Sequence, residues 1–94
     1  MRVVIFTRLT AKPGKRDELR QVLDDLTAET RAEPGNEMYV VHEARDEPGV
    51  NLGYEVFRDD DALEAYRATS AVAFARELLE VLLAAPHEIT YARD

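Results

Sequence analysis

An α+β fold of order β-α-β-β-α-β, an antiparallel sheet with its helices on one face, is predicted from three observations. Four short stretches are rich in β-branched and aromatic residues, the composition of strands. Between them run segments whose apolar residues recur at helical spacing. Turns holding proline and glycine separate most of these units.

Arg2 to Leu9 is the first strand, with Val3, Ile5, Thr7 and Leu9 on one face and Val4, Phe6 and Arg8 on the other. The turn Lys12-Pro13-Gly14-Lys15 releases the chain into a helix from about Lys15 to Ala32. There Leu19, Val22, Leu23 and Leu26 form one stripe, and Arg16, Asp17, Arg20, Asp24 and Asp25 face solvent. Glu33-Pro34-Gly35-Asn36 ends that helix, because proline cannot continue it and glycine permits reversal. Glu37 to Arg45 is the second strand, with Met38, Val40, His42 and Ala44 opposite Tyr39, Val41, Glu43 and Arg45. After the turn Asp46-Glu47-Pro48-Gly49, Asn51 to Phe57 is the third strand. Gly53 within it marks a bulge or a close approach by another group. Asp59-Asp60-Asp61 caps a short helix through Tyr66 and Arg67. Thr69 or Ser70 caps a longer one with the stripe Ala71, Phe74, Ala75, Leu78, Leu79 and Leu82, which Pro86 ends. His87 to Ala92 is the fourth strand. The order is that of a ferredoxin-like split βαβ unit.

A chain of 94 residues forms one domain, 1–94, and at that size folding buries only roughly 60–65% of the unfolded surface. Two helices in 94 residues cannot cover both faces of a four-stranded sheet, yet the first two strands are apolar on both. The simplest resolution is a homodimer packed sheet face to sheet face. The alternative is a semi-polar outer face, with Arg8, Glu43, Arg45 and Glu55 among its residues.

Composition removes whole classes of function. With no cysteine, thiolate nucleophiles, disulfides and cysteine-ligated metal centres are excluded. The net charge of -7, with basic residues scattered among acids, argues against nucleic acid. No apolar run approaches the roughly 20 residues that span a bilayer, and no signal peptide is evident, so the expected home is the cytoplasm. Two isolated histidines supply no metal-ligand spacing, and no Gly-rich phosphate loop follows a strand. Neither a metal nor a cofactor is expected.

The first strand running into Ala11-Lys12-Pro13-Gly14-Lys15, the break Glu33 to Asn36 followed by Tyr39, and Tyr54-Glu55-Val56-Phe57-Arg58-Asp59 running into Ala62-Leu63 together resemble one family. It is the antibiotic biosynthesis monooxygenase family of the dimeric α+β barrel superfamily. The resemblance covers nearly the whole chain. It implies a barrel formed by two sheets of a dimer and a pocket in each subunit between sheet and helices. Members include cofactor-free monooxygenases that oxidise phenolic or anthrone-like aromatics to quinones, an isomerase and haem-degrading enzymes. This chain departs from the pattern in three places. Phe57 stands where many members have tryptophan, and Tyr66 and Ala71 stand where histidines are common. The haem-degrading branch is excluded, since its first-strand asparagine corresponds to Thr7 and its haem-ligating histidine falls near Arg76.

On this basis Tyr66, His42 and Asn36 are candidate catalytic residues, and Tyr54, Thr7 and Phe57 are candidates for binding substrate. Tyr66 either bonds a substrate oxygen or is a core-edge tyrosine with its hydroxyl in water. His42 has the neutral-range pKa of a base that deprotonates a phenol, or it is satisfied by a neighbouring strand or faces a dimer seam. Asn36 is explained by turn chemistry, while the resemblance also implies approach to the pocket. Glu55 pairs with Arg8 in the structural reading. The expected function is cofactor-independent oxidation of a small phenolic or quinol-type aromatic. The alternatives are a non-catalytic dimeric module that binds a small ligand, or an isomerase on the same scaffold.

Overall fold

The computed structural model describes residues 1–94. Its elements are β1 (Val3–Thr10), α1 (Arg16–Arg31), β2 (Asn36–Glu43), β3 (Val50–Phe57), α2 (Asp60–Arg67), α3 (Ser70–Leu82) and β4 (Glu88–Arg93). The sheet runs β2-β3-β1-β4 and is antiparallel at every pairing, the ferredoxin-like arrangement expected. No helix is long and apolar enough to cross a membrane.

Helix boundaries follow local chemistry. Asp59 Oδ1 accepts from the Ala62 amide at 2.8 Å and starts α2; Thr69 Oγ1 accepts from the Val72 amide at 3.3 Å and starts α3. The end of α3 is not the work of Pro86. Leu83 turns to extended backbone and bridges Ala11, the Lys12 amide donates to Leu82 O at 2.8 Å, and the Ala84 amide donates to Thr10 O at 2.9 Å. The strand end of β1 therefore draws the chain out of the helix before proline is reached.

Strand pairing turns the two-residue alternation into rows across the sheet. On the helix side one row reads Tyr39, Glu55, Ile5, Tyr91 and the next reads Val41, Gly53, Thr7, Ile89. On the opposite face the rows are Val40, Tyr54, Phe6, Thr90 and His42, Leu52, Arg8, Glu88. Gly53 is a site of close approach: a Cβ there would stand 2.2 Å from Thr7 Oγ1. The bulge lies elsewhere, between Asn36 and Met38 on β2.

The helix-side core divides into two clusters. Ile5, Phe57, Leu63, Tyr66 and Val72 pack beneath α2, and Leu9, Leu19, Leu23, Leu79 and Leu83 pack between α1 and α3. Thr7 and Gly53, both small, occupy the sheet between them. Side chains of that size cannot fill the space under the helices, and a cavity opens there.

The other face has no covering element. Phe6, Met38 and Leu52 are 49%, 48% and 45% exposed, and the rings of Phe6 and Tyr54 pack with centroids 5.1 Å apart. The acids expected to make this face semi-polar do not all belong to it: Glu43 and Glu55 project to the helix side, leaving Arg8 as a charge on the outer rows.

Candidate active site

The cavity between the two core clusters has a volume of about 370 Å³. Its walls are largely aliphatic, contributed by β1, α1, α2, α3 and β4, and five groups give it polarity within: Thr7, Tyr39, Glu55, Tyr66 and Tyr91. Arg67, Arg76 and His87 complete the lining.

Glu55 is the chemically distinctive member. It projects from the centre of β3 between Tyr39 and Ile5, partly buried, and makes no hydrogen bond or ion pair within the protein. Burial raises its carboxyl to about pH 7, against the opposing field of Arg67. A carboxyl poised there exchanges protons at neutral pH, the property of a general acid or base. The expected pair with Arg8 is absent. Arg8 lies on the opposite sheet face and bonds Glu47 at 2.8 Å, with Glu88 at 3.6 Å.

Tyr39 and Tyr66 stand on either side of this acid. Tyr39 is 4% exposed, and burial raises its hydroxyl well above the ordinary tyrosine value, with Glu55 adding to the effect. Tyr66 stacks on Phe57 with ring centroids 5.0 Å apart and shares a 2.8 Å hydrogen bond with Thr30 Oγ1. Burial pushes its hydroxyl up to about 12, partly offset by the Thr30 bond. Both phenols therefore remain neutral donors at physiological pH. The Tyr66 hydroxyl is neither free in water nor a lone pocket group; it bridges α2 to α1.

The structure brings Tyr66 and Thr7 together in the cavity and places Phe57 directly beneath Tyr66 as a fully buried support. It does not bring the other three candidates there. His42 and Tyr54 are even-numbered partners on the outer rows, so the sheet stands between them and Tyr66. Asn36 closes the β2 bulge, its side-chain amide donating to Met38 O at 3.0 Å and Val56 O at 3.3 Å. No non-glycine residue has a positive φ, so left-handed backbone is not the reason for asparagine here.

Glu55 was expected as a structural ion pair rather than a catalytic acid, and Tyr39, Tyr91, Arg76 and His87 were not among the candidates. Strand parity carried the signal for the first two, since Glu55 shares a face with Phe57 and Tyr39 with Val41. His87 is half-buried at the mouth, and burial and Arg76 both lower its pKa. His, Asp and Glu side chains form no group of three or more suited to a metal ion.

The profile of the antibiotic biosynthesis monooxygenase family matches residues 2–78. The chain belongs to this family. It is 31% identical over 88 residues to "Putative monooxygenase Rv0793" of Mycobacterium tuberculosis, covering 94% of this chain and 86% of the relative. The solved structure of Rv0793 superposes with a TM-score of 0.94, spanning 100% of this chain and 95% of that one at 29% identity. PA3566 from Pseudomonas aeruginosa superposes with a TM-score of 0.93 over 99% of this chain and 93% of its own, also at 29% identity. The family scaffold is thus retained, and this member lines its cavity with tyrosines around a partly buried carboxyl.

Proposed function

We propose that the protein is a cofactor-independent monooxygenase of small phenolic or quinol-type aromatics, working in the cavity above Thr7. The observation that supports this most is Glu55, an unpaired carboxyl with a near-neutral pKa in an aliphatic pocket large enough for an aromatic ring. Glu55 accepts the phenolic proton, and the Tyr39 and Tyr66 hydroxyls stabilise the resulting anion as donors. The electron-rich anion reduces dioxygen directly. For an anthrone-type substrate the ring CH₂ becomes C=O: one oxygen atom of O₂ is retained, the other leaves as water with the two hydrogens lost from carbon. The protein supplies orientation, desolvation and proton transfer. Thr7 shapes the floor and Phe57 holds Tyr66 in place.

The working unit is proposed to be a homodimer. The uncovered plane of Phe6, Met38, Leu52 and Tyr54 is the surface a second copy would cover, and His42 and Tyr54 then belong to the subunit seam.

Oxygen consumption with a panel of hydroquinones and anthrones, without flavin, haem or metal, tests the reading. Uptake that falls in Glu55→Gln supports it. No uptake across the panel overturns it in favour of a non-catalytic ligand-binding module, a reading favoured by Tyr66 and Ala71 standing at positions where histidines are common in the family.

A further inference from the structure

The cavity mouth carries a charge pattern that phenol oxidation alone does not require. The chain has 19 acidic residues against 12 basic ones, and most of its arginines form ion pairs with carboxylates. Arg67 and Arg76, the two arginines that line the cavity, have no carboxylate within ion-pairing distance. Arg67 is otherwise engaged: it donates to the Tyr91 hydroxyl and lies over the Tyr91 ring, 5.2 Å from its centroid. Arg76 has no hydrogen-bonding partner in the protein, and its charge acts on Tyr66 and His87.

Arg76 and His87 also line a groove that continues outward from the cavity along the α3–β4 connection. Glu80, the acid in that groove, does not line the cavity and makes no ion pair with Arg76. A ligand entering past His87 thus meets an unneutralised guanidinium before it reaches Glu55. Its far end enters a chamber where a negative charge would face Glu55 and be repelled, so the two ends of the ligand differ in kind.

We propose that the substrate is an aromatic acid, its carboxylate held at the mouth by Arg76 with His87 beside it and its phenolic end directed to Glu55. This rests on the reading of the cavity as a phenol site and adds the charge of the substrate and its orientation. Guanidinium suits carboxylate because its planar donors match the two oxygens. Burial and, to a lesser degree, Arg76 lower the His87 pKa, and an anion next to Arg76 offsets the second of these, so His87 accepts a proton more readily once it is bound.

The test uses 4-hydroxyphenylacetate and its neutral isostere 4-hydroxyphenylacetamide, with binding followed by NMR and both histidines titrated. The acid is expected to bind at least ten-fold tighter. Arg76→Gln should remove that preference without weakening the amide, and Arg76→Lys should keep part of it. Bound acid should shift the His87 titration upward while bound amide does not, with His42 on the other sheet face unmoved by either. Equal affinities that Arg76→Gln leaves unchanged, with both ligands perturbing Tyr39 and Tyr66, would overturn the anion anchor and leave the cavity reading standing. Failure of both ligands to perturb any cavity residue would overturn the phenol site and the anchor with it. A preference lost in Arg67→Gln but kept in Arg76→Gln would overturn the assignment to Arg76.

Discussion

The two faces of one sheet are built from alternate residues of the same strands and have opposite characters. The helix-side face carries Tyr39, Glu55 and Thr7 beneath the helices, with Tyr91 exposed at its β4 edge, and burial there pushes the Glu55 carboxyl to about pH 7. The outer face carries Tyr54, Phe6, Leu52 and His42 with no cover, and its ionic groups are solvent-screened pairs such as Arg8–Glu47. Residue type alone does not make a site. On the closed face a glutamate has the proton affinity usually associated with histidine.

The contrast between the two faces is largest at Glu55. Glu55→Gln should lower oxygen uptake by roughly 10²–10⁴-fold, the usual worth of a positioned base. The same change should raise stability. A carboxyl raised above its unfolded pKa binds more protons in the native state, so wild-type stability is full below about pH 4.5 and declines as pH rises through about 7. Glu55→Gln should therefore be more stable than wild type by about 1–2 kcal/mol at pH 8 and equal to it at pH 4, read from urea unfolding.

On the outer face, Phe6→Asp places a charge in the proposed seam. It should weaken self-association by about 2 kcal/mol, giving a monomer mass in light scattering at micromolar concentration with secondary structure retained. A mass already monomeric in the wild type would remove the dimer.

Smaller effects probe the floor and wall of the cavity. Gly53→Ala should cost about 1–2 kcal/mol, because the new Cβ would meet Thr7 Oγ1 at 2.2 Å. In a Thr7→Ala background that cost should vanish, since the oxygen is gone and Thr7 Cβ would lie at an ordinary 3.6 Å. Tyr66→Phe removes the partner of the buried Thr30 hydroxyl and should destabilise by about 1 kcal/mol in thermal or urea unfolding.

The element order was legible because helical and strand periods are local properties, and the faces of β1 and β3 follow from counting in twos. Thr7 and Tyr66 followed instead from the family resemblance. His42 and Tyr54 were misplaced because chain position shows that two residues share a strand face but not which face the helices cover. The expected Glu55–Arg8 pair fails because Arg8 alternates with Thr7 and so points away from the face that Glu55 and Phe57 share. Asn36 belongs to a bulge that exists only once β2 meets β3. His87 and Arg76 meet through the α3–β4 connection, a tertiary contact with no local trace.

The difference between the faces reduces to the proton affinity of one side chain. A pH titration of the Glu55 side-chain carboxyl by ¹³C NMR should give a midpoint near 7, with Glu43, held down by Arg16, well below it. A midpoint near 4.5 would mean that the helix-side face is as wet as the outer one, and the account of Glu55 as the working acid would be wrong.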